Sequence, residues 1–388
     1  FSQTGGEGET PPDDAMERPV AVAWEVEAPP VVDGNVLDDP VWAVADPVGN
    51  FYQTRPDEGH PSSQSTEIRI VYTEDTLYLG VVCYDDDPNA IIVTEGRRDS
   101  SLSDTDAFEI ILDTYLDRQN GFLFATTPAG IEYDAHVTNQ GEGAGVQRWG
   151  NSPGRSGAGF NLNWDGSWEV QPRVTEIGWS AEFAIPFRTL RYPQKEVQIW
   201  GMNFKRSIRR RNETTYWAPL PRQYDLFRLS LAGTLTGMEV PTQRNLKVTP
   251  YVLGAVRERA SQQKRQWLGD MGADLKYSLT PSFTLDLTYN TDFAQVEADV
   301  QQINLDRFNL FFPEKRPFFL ENAGLFAVGS PQEVELFFSR RIGIGPEGQQ
   351  IPVLGGARIT GKVAGTDVGF LNMQTQEVAD ITRANNYT

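Results

Sequence analysis

Strict alternation of apolar and polar residues over positions 272–290 limits most strongly what this chain can fold into. Odd positions in 273–279 and 283–289 are apolar or aromatic, whereas the even positions between them are polar. A short Thr280-Pro-Ser turn separates the two runs. Because successive side chains of a β-strand point to opposite faces, the pattern predicts a β-hairpin with one apolar and one polar face.

Two environments are consistent with this hairpin. Strands of ~8–11 residues with this pattern match tilted strands that cross an outer membrane with their apolar side towards lipid. A second soluble sheet with one wet face would show the same alternation. We favour the membrane, because aromatic residues cluster at 308–313 and 317–320 and because residues 241–388 are almost neutral, with 16 acidic and 15 basic residues.

The number of candidate strands in this region is small. Besides the hairpin, the pattern predicts four further strands, at 246–256, 333–341, 353–363 and 367–375. A single-chain membrane barrel has at least ~8 strands and an even number of them. We therefore expect residues 238–388 to supply the first strands of an outer-membrane-type β-barrel that this chain is too short to close alone. Further sequence or partner proteins would complete it.

Short β-rich runs separated by turn clusters fill residues 31–237 and predict an antiparallel β-sandwich. Examples are 68–72, 77–84 and 108–113. Residues 1–30 are predicted to be a flexible tail, with the first ordered residues near Val20. The fold class is therefore all-β.

Charge and composition exclude several functions. Residues 1–240 hold 37 acidic and 19 basic residues, and this excess of acidic residues repels nucleic acid. A single cysteine, Cys83, and two histidines leave no disulfide, no zinc cluster and little chance of a histidine-based triad. Neither a nucleophile elbow nor a phosphate-binding loop is present. We expect a protein that is not an enzyme.

Four stretches of the sandwich region resemble carbohydrate-binding module family 9. They are Val32-Asp-Gly-Asn-Val-Leu-Asp-Asp-Pro-Val-Trp, Asp106-Ala-Phe-Glu-Ile-Ile-Leu-Asp, Gly178-Trp-Ser-Ala-Glu-Phe-Ala-Ile-Pro-Phe, and Asn203-Phe-Lys-Arg followed by Trp217. The resemblance implies a β-sandwich, in some members calcium-bearing, that holds a sugar between aromatic rings.

Other stretches resemble a group of undefined function in which such a sandwich precedes an outer-membrane β-barrel. They are Arg97-Arg-Asp, Asp292-Phe-Ala-Gln-Val-Glu-Ala-Asp, Phe311-Phe-Pro-Glu-Lys-Arg-Pro-Phe-Phe-Leu-Glu and Gly356-Ala-Arg-Ile-Thr-Gly-Lys. The resemblance spans about 32–377 and implies an outer-membrane location. Members of the group have more barrel strands than this chain supplies.

The Gly-rich loop at 139–166 and the residues after it are the candidate sugar site. Exposed aromatic rings stack on the apolar faces of sugars, and neighbouring amides bond their hydroxyls. We predict carbohydrate binding by Trp149, Trp164, Trp168, Asn151 and Asn163. Packing of the tryptophans in the core is the alternative for each ring.

Two acidic turns are candidate calcium sites, because calcium takes ~6–8 oxygen ligands. The predicted ligands are Asp85, Asp87, Asp104 and Asp106. Ordinary turn chemistry uses the same residues. The one basic cluster, residues 206–211, is predicted to pair with carboxylates of its own domain, or else to dock on a barrel rim or lipid headgroups.

Taken together, these features predict a bacterial outer-membrane protein that carries a carbohydrate-binding sandwich, with the periplasmic side favoured. Its expected partners are a glycan or oligosaccharide, outer-membrane lipid and envelope proteins that complete or cap the barrel, but not nucleic acid. Its role would be glycan binding or uptake. A scaffold whose sandwich binds protein is the alternative, and an exported glycoside hydrolase is a weaker one.

Overall fold

The computed structural model describes most of residues 18–388. Residues not described within that span are 95, 142–155, 158, 163, 194, 241–245, 260–263, 281, 291–315, 321–325, 327–328, 331–333, 336, 338, 345–350, 364–365 and 379–382. The described strands, β1–β23 in chain order, form four sheets. This confirms the all-β class.

The first sheet contains ten strands in the order β1-β15-β13-β6-β7-β8-β10-β9, with β14 pairing β13 and β3. Their bounds are β1 Val20–Val22, β3 Tyr52–Arg55, β6 Ala107–Asp113, β7 Gly121–Thr126, β8 Tyr133–Val137, β9 Ser156–Gly157, β10 Phe160–Asn161, β13 Val197–Ile208, β14 Glu213–Tyr216 and β15 Gly233–Glu239.

The second sheet has the order β11-β12-β5-β4-β2. Its strands are β2 Trp24–Glu25, β4 Thr66–Tyr72, β5 Thr76–Tyr84, β11 Glu169–Thr175 and β12 Gly178–Pro186. It packs face to face on the first sheet, because one buried cluster joins Ile70 and Leu79 of the second sheet to Phe108 and Phe204 of the first. The predicted sandwich is confirmed.

Apolar residues also cover the outer faces of both sheets, which explains why β6 and β7 are buried along their whole length. Leu226 and Leu229 pack over Ile111 and Leu123 of the first sheet. On the second sheet, Trp42 belongs to a separate buried cluster with other apolar residues. A strand covered on both sides loses the alternation of a half-exposed strand.

Two edge pairs differ from the predicted antiparallel arrangement. Strand β1 pairs with β15, and β2 with β4, in parallel. One continuous segment thus lines an edge of both sheets. Its strands at 20–25 lie within the 1–30 segment that the sequence analysis assigns to a flexible tail, and pairing with β15 and β4 is what orders them.

The third sheet has the order β16-β17-β18-β21-β22-β23 and follows the sandwich in the chain. Its strands are β16 Leu246–Arg259, β17 Lys264–Thr280, β18 Phe283–Tyr289, β21 Val353–Val363, β22 Thr366–Thr375 and β23 Asn386–Tyr387. The predicted 272–290 hairpin is β17–β18. Strands β19 Gly329–Ser330 and β20 Val334–Glu335 form a two-stranded sheet.

Helices are few and short. The α-helix α1 covers Pro317–Leu320, and 3-10 turns cover Pro40–Val44, Pro88–Ala90, Asn139–Gly141, Phe187–Thr189, Arg209–Arg211, Leu229–Leu231 and Ser339–Arg341. Among the described residues, no helix has the length and apolar character that crossing a membrane requires.

Candidate functional site

The predicted sugar-site residues lie in different surroundings. Trp149, Asn151 and Asn163 lie outside the described residues. Trp164 is half-buried, with its ring centroid 5.1 Å from that of Phe122. Trp168 is 8% exposed and lies in the sandwich core, stacked on Phe183 at 5.9 Å between centroids. Of the described candidates, Trp164 keeps the more accessible ring, and sugar binding by this set stays a prediction.

A charged network that the sequence analysis did not identify holds the turn between these two tryptophans. Arg98 contacts Glu132 and Asp134 at 2.5 Å each and Asp165 at 2.6 Å. Asp134 also accepts a 2.6 Å hydrogen bond from the Gly166 N–H. Burial raises the pKa of Asp134 to about 6, although the Gly166 N–H and the Arg98 charge act in the opposite direction. The network ties the Trp164–Trp168 turn to strand β8.

The acidic turns contact the basic cluster at 206–211. The sequence analysis predicts this pairing of the cluster with carboxylates of its own domain. Arg210 bonds both Asp85 and Asp86, and Arg211 bonds Asp86 at 2.5 Å. Hydrogen bonds from Arg210 and Arg211 lower the pKa of Asp86 to about 2. Arg209 contacts Asp104 at 3.2 Å.

The four predicted calcium ligands differ in exposure. Asp85 and Asp106 are buried, whereas Asp87 and Asp104 are exposed. Asp106 accepts a 2.7 Å hydrogen bond from the Arg209 N–H. In the described ranges, no three acidic, histidine or cysteine side chains gather as a metal ion would need. Calcium binding therefore stays a prediction.

Strand β18 of the third sheet buries its polar face and exposes its apolar one. In β18, Thr284, Asp286 and Thr288 are 2–5% exposed, whereas Leu287 and Tyr289 are 38% and 68% exposed. The pairing register places Arg358 and Thr360 of β21, which are 2% and 0% exposed, on the same buried face as these β18 residues. In β22 the buried positions of that face are instead the apolar Leu371 and Met373. A wet sheet in water would instead bury its apolar side.

Large apolar side chains of four strands share the exposed face. They are Leu246, Val248, Val252, Met271, Leu287, Tyr289, Val368 and Phe370. This face is far more apolar than scattered surface residues would make it, and contiguous apolar surface of this kind marks a contact with lipid or protein.

An ion pair lies within the buried polar face. Arg358 in β21 is opposite Asp286 in β18, and its Nη2 and Nε lie 2.8 and 3.1 Å from the Asp286 Oδ2. Both side chains are almost fully buried, at 2% and 7% exposed. Pairing satisfies charges that could not be buried singly.

The conspicuous sequence string at 311–321 reaches this polar side, as far as it is described. Arg316 is fully buried and donates hydrogen bonds of 2.8 and 2.9 Å to the carbonyls of Ile342 and Ser339. The Phe318 ring lies 5.1 Å from the Arg358 guanidinium. Phe318 also belongs to a buried cluster with Leu371 of β22. Residues 316–320 of the string thus pack against the buried side of the third sheet.

Comparison with known families matches the C-terminal third of the chain. Residues 241–372 match a domain of unknown function, DUF5916. That range contains most of the third sheet. No curated protein matches the chain.

Comparison with solved structures finds sugar-binding modules. A family 9 carbohydrate-binding module from Caldicellulosiruptor kristjanssonii in complex with glucose is 16% identical, with a TM-score of 0.36, and covers 57% of this chain and 96% of its own. Its cellotriose complex is 15% identical, with a TM-score of 0.35 and coverages of 57% and 95%. A proposed carbohydrate-binding protein from Bacteroides uniformis ATCC 8492 is 11% identical, with a TM-score of 0.43 and coverages of 56% and 99%.

Proposed function

We propose that this chain is an outer-membrane protein whose third sheet faces lipid and whose sandwich binds a saccharide beside the membrane, on the periplasmic side. The inverted burial of strand β18, together with the large apolar side chains on the exposed face of its neighbours, carries the proposal. Strands that are apolar towards lipid and polar towards the interior are the pattern of outer-membrane barrels. The proposal gives the chain a binding or uptake role and no catalytic one.

Strand length supports the membrane part of the proposal. Strands β16, β17, β21 and β22 contain 14, 17, 11 and 10 residues. A tilted strand needs ~9–11 residues to cross the hydrocarbon layer, so each is long enough. Closure into a barrel would require further strands, from the same protein or from a partner.

The acidity of the sandwich supports a neutral ligand. Residues 1–240 carry a net charge of −18, which disfavours nucleic acid and other polyanions. The resemblance of the Val32, Asp106 and Gly178 motifs to carbohydrate-binding modules gives the ligand class. A saccharide meets both conditions, because its hydroxyls carry no charge.

Arginine substitutions at exposed positions of the third sheet and of the sandwich test the proposed contact with lipid. Leu287→Arg and Phe370→Arg change the apolar face of the third sheet, and Val197→Arg makes the matched change at a 55%-exposed position of β13. In lipid vesicles, we expect a loss of about 2–4 kcal/mol of unfolding free energy for a third-sheet variant near the bilayer centre. The β13 control should stay within about 0.5 kcal/mol.

Urea titration of vesicle-reconstituted protein measures these differences. If both third-sheet variants resemble Val197→Arg, the apolar face meets water and the membrane assignment is wrong. An array of neutral oligosaccharides, screened with the full chain in detergent, tests the saccharide part separately. Binding to none of them would contradict that part and leave the membrane part standing.

A further inference from the structure

A cleft of about 690 Å³ opens between two segments that run from one sheet of the sandwich to the other. One wall is residues 19–24 and the other is residues 46–52, while Trp217 and Pro219 complete the lining. The volume lies within the ~300–1,000 Å³ typical of small-molecule sites. Neither Trp164 nor Trp168, the described members of the predicted sugar site, lines it.

Both walls are fixed to the sheets by main-chain hydrogen bonds. The Pro19 carbonyl accepts from Thr234 of β15 at 3.0 Å, which holds the first wall. Val48 and Ile68 of β4 exchange bonds of 2.7 and 2.8 Å, which hold the second. A cleft whose walls belong to two packed sheets is formed before any ligand arrives, so binding need not order it.

Aromatic rings stand on both walls. Trp24 is 41% exposed and Tyr52 is 37% exposed, whereas Trp217 between the walls is 4% exposed. Among the described residues of the sandwich, most large aromatics are buried, and Trp24 and Tyr52 are the two most exposed. Rings of this kind offer flat apolar surface with a polar tip, which suits ligands that have both C–H faces and hydroxyls.

Main-chain hydrogen-bonding groups lie along the first wall. Pairing with β15 uses main-chain groups of Pro19 and Ala23, and alternation turns those of Val20 and Val22 to the opposite edge. Strand β1 is the last strand of its sheet in the described order. Its outer edge therefore presents both donors and acceptors, as hydroxyl groups require.

Charge disfavours an anionic ligand in the cleft. No Lys, Arg or His occurs among the cleft residues, all of which belong to the described part of the chain. Asp46 and Asn50 supply the polar side chains. An anionic ligand would meet the Asp46 carboxylate with no cation to offset it, whereas a neutral polyol can bond to both side chains.

From these observations we infer that the cleft between residues 19–24 and 46–52 is the saccharide-binding site of the sandwich, with Trp24 and Tyr52 as stacking platforms for a neutral oligosaccharide. The inference rests on the proposed saccharide binding and assigns its location. It places the site away from the 149–168 region, which stays a separate prediction.

Affinity measurements on the full chain in detergent test this location. The probe is the neutral oligosaccharide that gives the strongest array signal, titrated by calorimetry. Trp24→Ala and Tyr52→Ala should each weaken binding about tenfold or more, while Trp24→Phe, which keeps a ring, should weaken it less. Ile177→Ala, at a 42%-exposed position outside the cleft, is the control and should leave affinity unchanged.

The outcomes separate the two claims. If the parent binds and both alanine variants keep parental affinity, the cleft assignment is wrong and saccharide binding stands. If Trp164→Ala alone abolishes binding with an unchanged melting temperature, the site lies at the predicted tryptophan turn instead. If the parent binds no neutral oligosaccharide, the cleft assignment and the saccharide part both fail. Melting temperatures of the cleft variants are measured beside the parent, so that a loss of affinity is not confused with a loss of folding.

Discussion

Glu182 in β12 holds the opening motif of the sandwich, residues 32–42, by hydrogen bonds. The loss of stability expected on replacing Glu182 follows from these contacts. The side chain is fully buried. Its Oε2 accepts from the Asp33 and Gly34 N–H groups at 2.7 and 2.6 Å, and its Oε1 accepts from the Trp42 Nε1–H at 2.7 Å. Three N–H donors therefore converge on this one carboxylate.

Glu182→Gln keeps the shape but replaces one acceptor oxygen by an NH₂ donor. The less costly orientation directs the NH₂ towards Trp42 and leaves the indole N–H unpaired, which costs about 1–3 kcal/mol. Burial raises the pKa of Glu182, so loss of the charge itself offsets part of the cost. We expect a net loss of about 2 kcal/mol, or a melting temperature lower by about 4–8 °C for a domain of this size.

Thermal unfolding followed by tryptophan fluorescence measures this loss, because eight of the nine tryptophans precede residue 240. Glu169→Gln is the control, since this glutamate is on the exposed side of the neighbouring strand β11. The decisive comparison repeats Glu182→Gln in a Trp42→Phe background, where no indole N–H remains to be orphaned. Equal losses in both backgrounds, or no loss in the first, would refute this account of the motif.

Three other changes have definite expected signs. Burial raises the pKa of Asp113 to about 6. The protonated carboxyl therefore contributes stability that is fully present below pH ~4 and is lost as the pH rises through 6. In denaturant titrations, Asp113→Asn should remove up to about 3 kcal/mol of this pH dependence. Lys205 lies 2.7 Å from the buried Glu109, so Lys205→Met should cost about 3–5 kcal/mol and added Glu109→Leu should restore much of it. A chain that starts at residue 31 should melt several degrees below one that starts at residue 18, because it lacks β1 and β2.

Local patterns in the sequence predicted strands well but not the contacts between them. The 272–290 alternation predicted β17–β18, and the pairing of the basic cluster with its own domain follows from an excess of acidic residues. In contrast, Glu182 bonds a tryptophan 140 positions earlier. Arg98 joins residues up to 67 positions away. No periodicity encodes such distant meetings, which depend on how the two sheets stack.

Aromatic residues show the same division. The sequence identifies Trp164 and Trp168 as candidates with equal chemistry, yet one is half-buried and the other is in the core. Trp24 was not a candidate, because a two-residue strand at a sheet edge has no sequence signature. Exposure of a ring depends on what covers it, and in this sandwich the outer faces are covered by loops from distant parts of the chain.

The third sheet shows why alternation alone could not choose between water and lipid. Alternation with a period of two separates an apolar face from a polar face, but it does not say which of the two is covered. Residues far from the hairpin decide which face is covered. Arg358 pairs with Asp286 on the polar face, and Arg316 and Phe318 pack on the same side. Protein therefore covers the polar face, and the apolar face has no protein cover over most of its described residues. In the proposed membrane placement lipid would cover this face, and each exposed apolar side chain would gain up to about 1.5–3 kcal/mol of burial.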